Sequence, residues 1–351
     1  MFPVVRKAEM AIANDHTLDK EYSPIDGDAT FTKGARGVLF GFDHPDVTSG
    51  RVATFQTLSG TGALRVLADF LVKHRPSPIY VSAPTWGNHG AIFAEAGLDA
   101  RPYRYFDKKT KGLDFDGMIA DLKAATPGSI VLLHTCAHNP TGVDPTLEQW
   151  KVVADVCEAN ALYPFFDTAY QGFVTGNLDK DGEGLRLFVD RGFEMCIAQS
   201  FAKIMGLYGE RCGAAHFVCG DKAVAARVTS QAKLLIRRAY SSPPKHGARI
   251  AAMILSKPDM RQQWLDELVV VTNRITRMRA ALRKNLEALG TKGNWEHVTK
   301  QIGMFTFTGL TPAQSDKMVK EHHVYMTKNG RISVAGLTEK NVAYVAKCIK
   351  H

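Results

Sequence analysis

Short apolar runs alternate with amphipathic stretches through the middle of the chain. Pro78-Ile-Tyr-Val-Ser82, Ser129-Ile-Val-Leu-Leu-His134, Ala161-Leu-Tyr-Pro-Phe-Phe-Asp167, Met195-Cys-Ile-Ala-Gln199 and the run from Ala214 to Cys219 each predict a strand. Leu147 to Asn160 has helical spacing and is opened by Asp144-Pro145-Thr146, and Leu64 to His74 follows a glycine-rich turn. This alternation predicts an α/β fold with a mainly parallel, helix-covered sheet. Downstream, Asp266 to Leu289 runs without Gly or Pro and predicts a long connecting helix. The remainder shows strand patterns at Gly303-Met-Phe-Thr-Phe-Thr308, Val324-Tyr-Met326 and Arg331-Ile-Ser-Val334, then a final helix from Thr338. The expected organisation is a large sheet domain over 1–270 and a small C-terminal α+β domain over 271–351. No internal repeat or low-complexity segment interrupts it.

Composition narrows the possibilities. The chain has 351 residues, 45% hydrophobic and 23% charged, which is ordinary for a globular protein. No apolar run approaches the ~20 residues of a membrane helix, so no membrane partner is expected. Met1-Phe-Pro-Val-Val-Arg-Lys has neither a long apolar core nor a cleavage pattern and predicts no signal peptide. Six cysteines lie scattered, mostly in apolar runs and without a Cys-x-x-Cys pair, which predicts buried thiols in a reducing compartment. The formal charge of +9 is spread out. Its densest group, Arg274 to Arg283, reads as the polar face of the long helix, so no nucleic-acid partner is expected. A basic balance also suits a site that collects phosphates and dicarboxylates.

In such sheets ligands gather at the carboxyl ends of strands. Trp86, Asn139, Asp167 and Lys203 all fall there. Ser200-Phe-Ala-Lys203, leading to Glu210-Arg211-Cys-Gly213, delivers a serine, a lysine and an arginine to one strand exit. A primary amine beside phosphate-binding groups suits covalent capture of an aldehyde cofactor. Ser59-Gly60-Thr61-Gly62 offers backbone N–H groups to an anion. No Gly-Lys-Ser/Thr follows, so it is not a nucleotide P-loop, and the third glycine of a dinucleotide fingerprint is missing. Asp167 closes an aromatic run, where a carboxylate is costly unless paired. A protonated pyridinium nitrogen would be such a partner, with Tyr170 placed to reach a ring hydroxyl. Two rivals fail on context. Ser-x-x-Lys is also an acylation motif, but Ser315-Asp-Lys stands where Ser-Asp-Asn is needed and no Lys-Thr-Gly exists. His134-x-x-x-His138, with Asp167, has the spacing of metal ligands, but that pair needs a helix and this segment runs from a strand into Asn-Pro. No metal is expected.

Ser59-Gly-Thr-Gly62, Trp86-Gly-Asn-His89, His138-Asn-Pro-Thr-Gly-Val-Asp144, Asp167-Thr-Ala-Tyr-Gln-Gly-Phe173, Ser200-Phe-Ala-Lys203 and Gly206-Leu-Tyr-Gly-Glu-Arg211 together resemble the aspartate aminotransferase family. These are class I, fold-type I enzymes dependent on pyridoxal 5'-phosphate (PLP). The resemblance continues through Ser241-Ser-Pro-Pro244, Gly247-Ala-Arg-Ile250, Gln301-Ile-Gly-Met-Phe305 and Gly330-Arg-Ile-Ser-Val-Ala-Gly336 and covers nearly the whole chain. It implies a fold-type I PLP-transferase that runs a ping-pong cycle from L-aspartate and 2-oxoglutarate to oxaloacetate and L-glutamate. Lys203 would hold the cofactor covalently and shuttle the proton at the substrate Cα. Asp167 would keep the pyridine nitrogen protonated, backed by His89. Asn139 and Tyr170 would bond the phenolic oxygen, and Trp86 would stack on the ring. Ser59, Gly60, Thr61, Ser200 and Arg211 would hold the phosphate, with Ser241 also at the cofactor. Arg331 would take the substrate α-carboxylate beside Trp86 and Asn139. In the family a tyrosine on the phosphate and an arginine on the distal carboxylate come from the neighbouring subunit. Tyr22 and Arg237 match those positions, with the adjacent Arg238 as the alternative, so a homodimer with composite sites is implied.

The chain departs from the family at Ser242, where Asn is usual, at Arg238, where Pro is common, and at Ile204, where Asn is common. Family members carry a further stretch ahead of the segment matching Phe2-Pro-Val-Val-Arg-Lys, with an arm around the partner and a glycine loop over the substrate. Its lack would weaken closure and the dimer. The second functional expectation is therefore a weakly active or inactive paralogue that binds cofactor or serves as a subunit. The basic balance and Tyr325-Met-Thr-Lys328 point to the mitochondrion, with the cytoplasm as the alternative.

Overall fold

The computed structural model describes residues 2–350, so the outermost positions of the two expected domains lie outside the described residues. Seven strands form the main sheet: β1 (Val52–Leu58), β2 (Ile79–Ala83), β3 (Ala100–Arg104), β6 (Ile130–His134), β7 (Tyr163–Thr168), β8 (Met195–Ser200) and β9 (Cys212–Val218). A hairpin of β4 (Phe106–Asp107) and β5 (Gly112–Leu113) lies between β3 and β6 in the chain. The sheet order is β1-β9-β8-β7-β6-β2-β3. The β2–β3, β2–β6, β6–β7 and β7–β8 pairs are parallel. β9 runs antiparallel to both β8 and β1. The sheet is thus mixed and mostly parallel, as the alternation of strands and helices predicts.

Both faces are covered, which is why the central strands read as continuous apolar runs. Side chains alternate across the sheet. Phe165, Cys196 and Ala198 pack on one face with Leu64, Leu67 and Phe93. Phe166, Met195 and Ile197 pack on the other with Trp150 and Phe188. The expected helix after Asp144-Pro145-Thr146 spans Leu147–Ala159, closed at its start by a Thr146–Gln149 capping box.

A third apolar cluster joins Phe31, Phe201 and Met205 to Trp264, Met278 and Leu282 of the long helix and to Ile332 and Val345 near the C-terminus. That helix spans Pro258–Ala288, beginning earlier than its Gly/Pro-free run suggests because Pro258 occupies its first turn. The expected 270/271 limit falls inside it. β10 (Phe305–Phe307) pairs antiparallel with β11 (Arg331–Ser333), setting Phe307 opposite Arg331. The expected strand at Val324–Met326 is not formed. Instead Val324 N donates to Met318 O at 2.9 Å and Thr327 N to Arg331 O at 3.2 Å, so the segment closes a turn. The final helix is Val342–Lys350, because Thr338 and Asn341 first make a hydrogen-bonded turn at its entrance. Among the described residues no helix is long and apolar enough to cross a membrane.

Candidate active site

The carboxyl ends of four strands and the start of one helix meet at a cavity of about 220 Å³. β7 ends beyond Asp167, β8 leads from Ser200 to Lys203, β6 leads to Asn139, and β2 leads to Trp86. β1 is antiparallel to β9, as β8 is, so β1 and β8 point the same way and bring Ser59 to Ser200. Ser59, Gly60, Thr61, Trp86, Asn139, Asp167, Tyr170, Ser200, Lys203 and Arg211 all line this cavity.

One end is built for an anion. The helix expected from Leu64 starts at Ser59, directly after β1, so Gly60 and Gly62 lie in its first turn. Its N-cap makes no side-chain hydrogen bond and its first turn holds no acid. Its leading N–H groups therefore stay open to a ligand. Ser59 takes a left-handed φ of 61°, held by Ser59 N donating to Arg211 O at 3.0 Å. The Ser59 and Ser200 hydroxyl oxygens lie 3.1 Å apart. Gly213 lets these strands approach: a Cβ there would sit 2.5 Å from the Ser59 carbonyl carbon. Arg211 is exposed, and its Nη1 donates to Tyr208 O at 3.0 Å. Free helix N–H groups, two hydroxyls and a guanidinium make a donor set for a phosphate.

The other end is built for a cation. Asp167 Oδ2 lies 3.1 Å from His89 Nε2, while His89 Nδ1 meets Thr85 Oγ1 at 2.8 Å. Burial pushes the Asp167 carboxyl up, but the His89 bond and the nearby charges win and hold it below its ordinary range. An ionised carboxylate lining the cavity suits a protonated ring nitrogen. Donor atoms of His89, His134 and Asp167 lie within 4.8 Å of one another. Both nitrogens of His89 are already engaged, and His138 bonds Ser82 Oγ and Thr141 Oγ1, each at 2.8 Å. This is the geometry of a hydrogen-bonded imidazole network around a carboxylate. Burial first, and His89 second, push His134 down to about 3.

Between the two ends stands Lys203, whose Nζ lies 5.2 Å from the centre of the Tyr170 ring. Burial lowers its pKa, Asp167 opposes and Arg211 assists, leaving the amine below its ordinary value of 10.5. Burial also raises the Tyr170 hydroxyl pKa, while Asn139 stabilises its ionised form. Asn139 Oδ1 accepts from Arg331 Nη1 at 2.8 Å, and the Arg331 guanidinium lies 4.2 Å over the Phe305 ring. Arg331 is half-buried and has no carboxylate within ion-pair distance among the described residues, so its fork is free for an anionic group.

Five expected residues do not line this cavity: His89 and Arg331 bond to residues that do, whereas Tyr22, Arg237 and Ser241 lie apart from it. Tyr22 is 82% exposed and lines a separate cleft of about 830 Å³ with Ser242, Lys245 and Arg249. Arg237, at the end of the Lys222–Ala239 helix, is exposed and its Nη1 donates to Ser241 Oγ. Sequence reasoning assigned no role to Thr85, whose hydroxyl links His89 to His134, or to Tyr208, which lines the cavity. Tyr208 lies within Gly206-Leu-Tyr-Gly-Glu-Arg211. Thr85 carried no signal beyond its place between β2 and Trp86.

These features make a site at the strand ends of an α/β sheet that could hold a phosphate-bearing aldehyde and a carboxylate. The family model described as Aminotransferase class I and II matches residues 1–349. Aspartate aminotransferase 3, chloroplastic, of Arabidopsis thaliana is 53% identical over 347 residues, spanning 99% of this chain and 77% of that protein. The cytoplasmic aspartate aminotransferase of Oryza sativa subsp. japonica is 52% identical over 347 residues, 99% of this chain and 85% of that one. The solved aspartate aminotransferase from Saccharomyces cerevisiae cytoplasm superposes with a TM-score of 0.97 at 44% identity, covering 99% of this chain and 87% of that chain. The aromatic-amino-acid aminotransferase from Burkholderia pseudomallei, solved covalently bound to pyridoxal phosphate, gives 0.96 at 42% identity, again 99% and 87%. The chain belongs to the class I and II aminotransferase family.

Proposed function

We propose that the chain is a PLP-dependent aspartate aminotransferase converting L-aspartate and 2-oxoglutarate to oxaloacetate and L-glutamate. One observation carries the reading: a half-buried lysine stands between an anion cradle and an ionised carboxylate, with an unpaired guanidinium fork beside them. When bound, PLP supplies the electron sink that lets the substrate Cα–H bond break. The helix start at Ser59, with Ser200 and Arg211, anchors the phosphate. Asp167, steadied by His89, holds a proton on the ring nitrogen. Lys203 would hold the cofactor covalently, and its amine is the group placed to carry the Cα proton. Trp86 excludes water from one face of the ring.

Arg331 takes the α-carboxylate as a bidentate fork while Asn139 keeps the guanidinium oriented. A dicarboxylate needs a second fork. Arg237 and Tyr22 are exposed and lie outside their own chain's cavity, which supports a homodimer in which they complete the partner's site, with Ser241 beside Arg237. The spread basic charge favours the mitochondrion over the cytoplasm, which cell fractionation tests. The function is tested by following oxaloacetate from L-aspartate and 2-oxoglutarate with PLP-loaded protein. Turnover of that pair above alanine or phenylalanine is expected. A loaded protein that turns over none of them contradicts the reading.

A further inference from the structure

The Pro258–Ala288 helix sends one cation into the interior. Arg279 is 4% exposed. Its Nη1 donates to Val298 O at 2.9 Å and Thr306 Oγ1 at 2.6 Å, and its Nη2 to Gly303 O at 2.8 Å and to Phe305 O. Its Nε has no partner. No carboxylate among the described residues pairs with it. Burial lowers its pKa to about 10, which leaves it charged at neutral pH. A buried cation facing only neutral oxygens is costly, and a well-packed apolar side chain would be cheaper to bury. What the cation achieves is to gather four oxygens of one short segment, 298–306.

That segment carries one support of the carboxylate fork, Phe305, and leads directly into the other, Phe307. Phe305 places its ring under the Arg331 guanidinium at 4.2 Å, and Phe307 pairs directly with Arg331 across β10 and β11. Ile302 N donates to Gly142 O at 2.7 Å, tying the segment to the loop that holds Asn139. The contact is close: a Cβ on Gly303 would fall 2.4 Å from Ala137 Cβ, and one on Gly142 would fall 2.8 Å from Ile302 O. Asn139 in turn accepts from Arg331 at 2.8 Å. A bidentate fork needs two parallel bonds, so a small shift of its supports loses one of them.

We propose that Arg279 is a positioning residue for substrate recognition, clamping the Phe305 shelf and the Asn139 loop so that Arg331 presents a preformed fork. This rests on reading Arg331 as the α-carboxylate ligand. Ser59, Ser200 and Asp167 belong to other elements, so the clamp reaches the cofactor through Asn139 alone and affects its affinity far less than the fork.

The test uses the PLP-loaded enzyme in three variants: Arg279→Lys, which keeps the charge but not the planar fork, Thr306→Val, which deletes a single acceptor, and Arg331→Lys as reference. Arg279→Lys is expected to raise KM for both aspartate and 2-oxoglutarate by roughly tenfold, and Thr306→Val by roughly threefold. Turnover and PLP affinity, read from cofactor absorbance, should stay within about twofold of wild type. Unchanged KM in Arg279→Lys beside a raised KM in Arg331→Lys overturns the proposal. So does a parallel loss of kcat and PLP affinity, which marks a general packing role. Unchanged KM in Arg331→Lys removes the fork reading itself, and the proposal with it. If Arg279→Lys does not accumulate as soluble protein, Thr306→Val decides, and an unaltered KM there is fatal to the clamp.

Discussion

At the cofactor end of the site His89, Ser59 and Ser200 are buried and bonded to one another or to Asp167, whereas Tyr22, Arg237 and Ser241 sit on the surface away from the cavity. The two groups rest on different physics. The cradle is positioned by strand ends of one sheet, where parallel pairing fixes Asp167 and the Ser200 turn side by side. Its buried polar groups are offset by mutual hydrogen bonds. The outer group gains nothing from its own chain's core. An exposed tyrosine and a guanidinium bonded to a neighbouring hydroxyl are what a surface awaiting a symmetric partner presents. On the proposed homodimer, the covalent hold on the cofactor belongs to one chain, and selection of the distal carboxylate to two.

The sharpest attack on this division is Lys203→Ala. It removes the covalent anchor and the proton carrier together, so kcat should fall by roughly 10²–10⁴-fold or more, and borohydride should no longer fix cofactor to the protein. Labelling of another lysine in the wild type would break the cradle's assignment. Asp167→Asn probes the opposite wall. It should lower kcat by about tenfold or more while KM for aspartate moves little, because the substrate carboxylates are held elsewhere. Arg237→Ala tests the outer group. It should cost roughly 1.5–3 kcal/mol in kcat/KM for aspartate and glutamate, and leave alanine and phenylalanine nearly unaffected. An equal loss for all four substrates would place Arg237 outside specificity.

The smallest expected effect is on stability. Burial holds His134 and His216 neutral and lowers each to about 3. The unfolded chain takes up these protons near the ordinary value of 6.5, before the folded one does. Their contribution is complete above pH 6.5 and is lost as pH falls through that window towards 3. Asp144 has the opposite sign. Burial raises it to about 6, so its contribution is present below the ordinary carboxylate value and lost as pH rises through about 6. Thermal unfolding of His216→Gln between pH 7 and 5 should show a shallower fall in Tm than the wild type. An identical slope would mean that His216 does not carry this linkage.

Most of the sheet was legible because β6, β8 and β9 are buried on both faces and are mostly apolar, with few polar residues. β1 was not, because Thr54, Gln56 and Thr57 break its run. Thr54 and Gln56 are satisfied by partners distant in sequence, His216 and Pro244 O, and Thr57 by Ser59 O two residues on. β3 was missed for the reason edge strands often are: Ala-Arg-Pro-Tyr-Arg buries only Tyr103. The cradle residues were legible as strand-exit polar groups within motifs. Arg279 was absorbed into an apparent polar helix face, since its acceptors are backbone carbonyls that leave no trace in sequence.

Mixing inactive Lys203→Ala subunits with aspartate-impaired Arg237→Ala subunits tests the division between one-chain covalent capture and two-chain selection most directly. In a mixed dimer one site carries both lesions and the other carries neither. After subunit exchange, random pairing should restore aspartate turnover at roughly a quarter of all sites. Mixed dimers shown to form, yet without recovered turnover, would contradict the account.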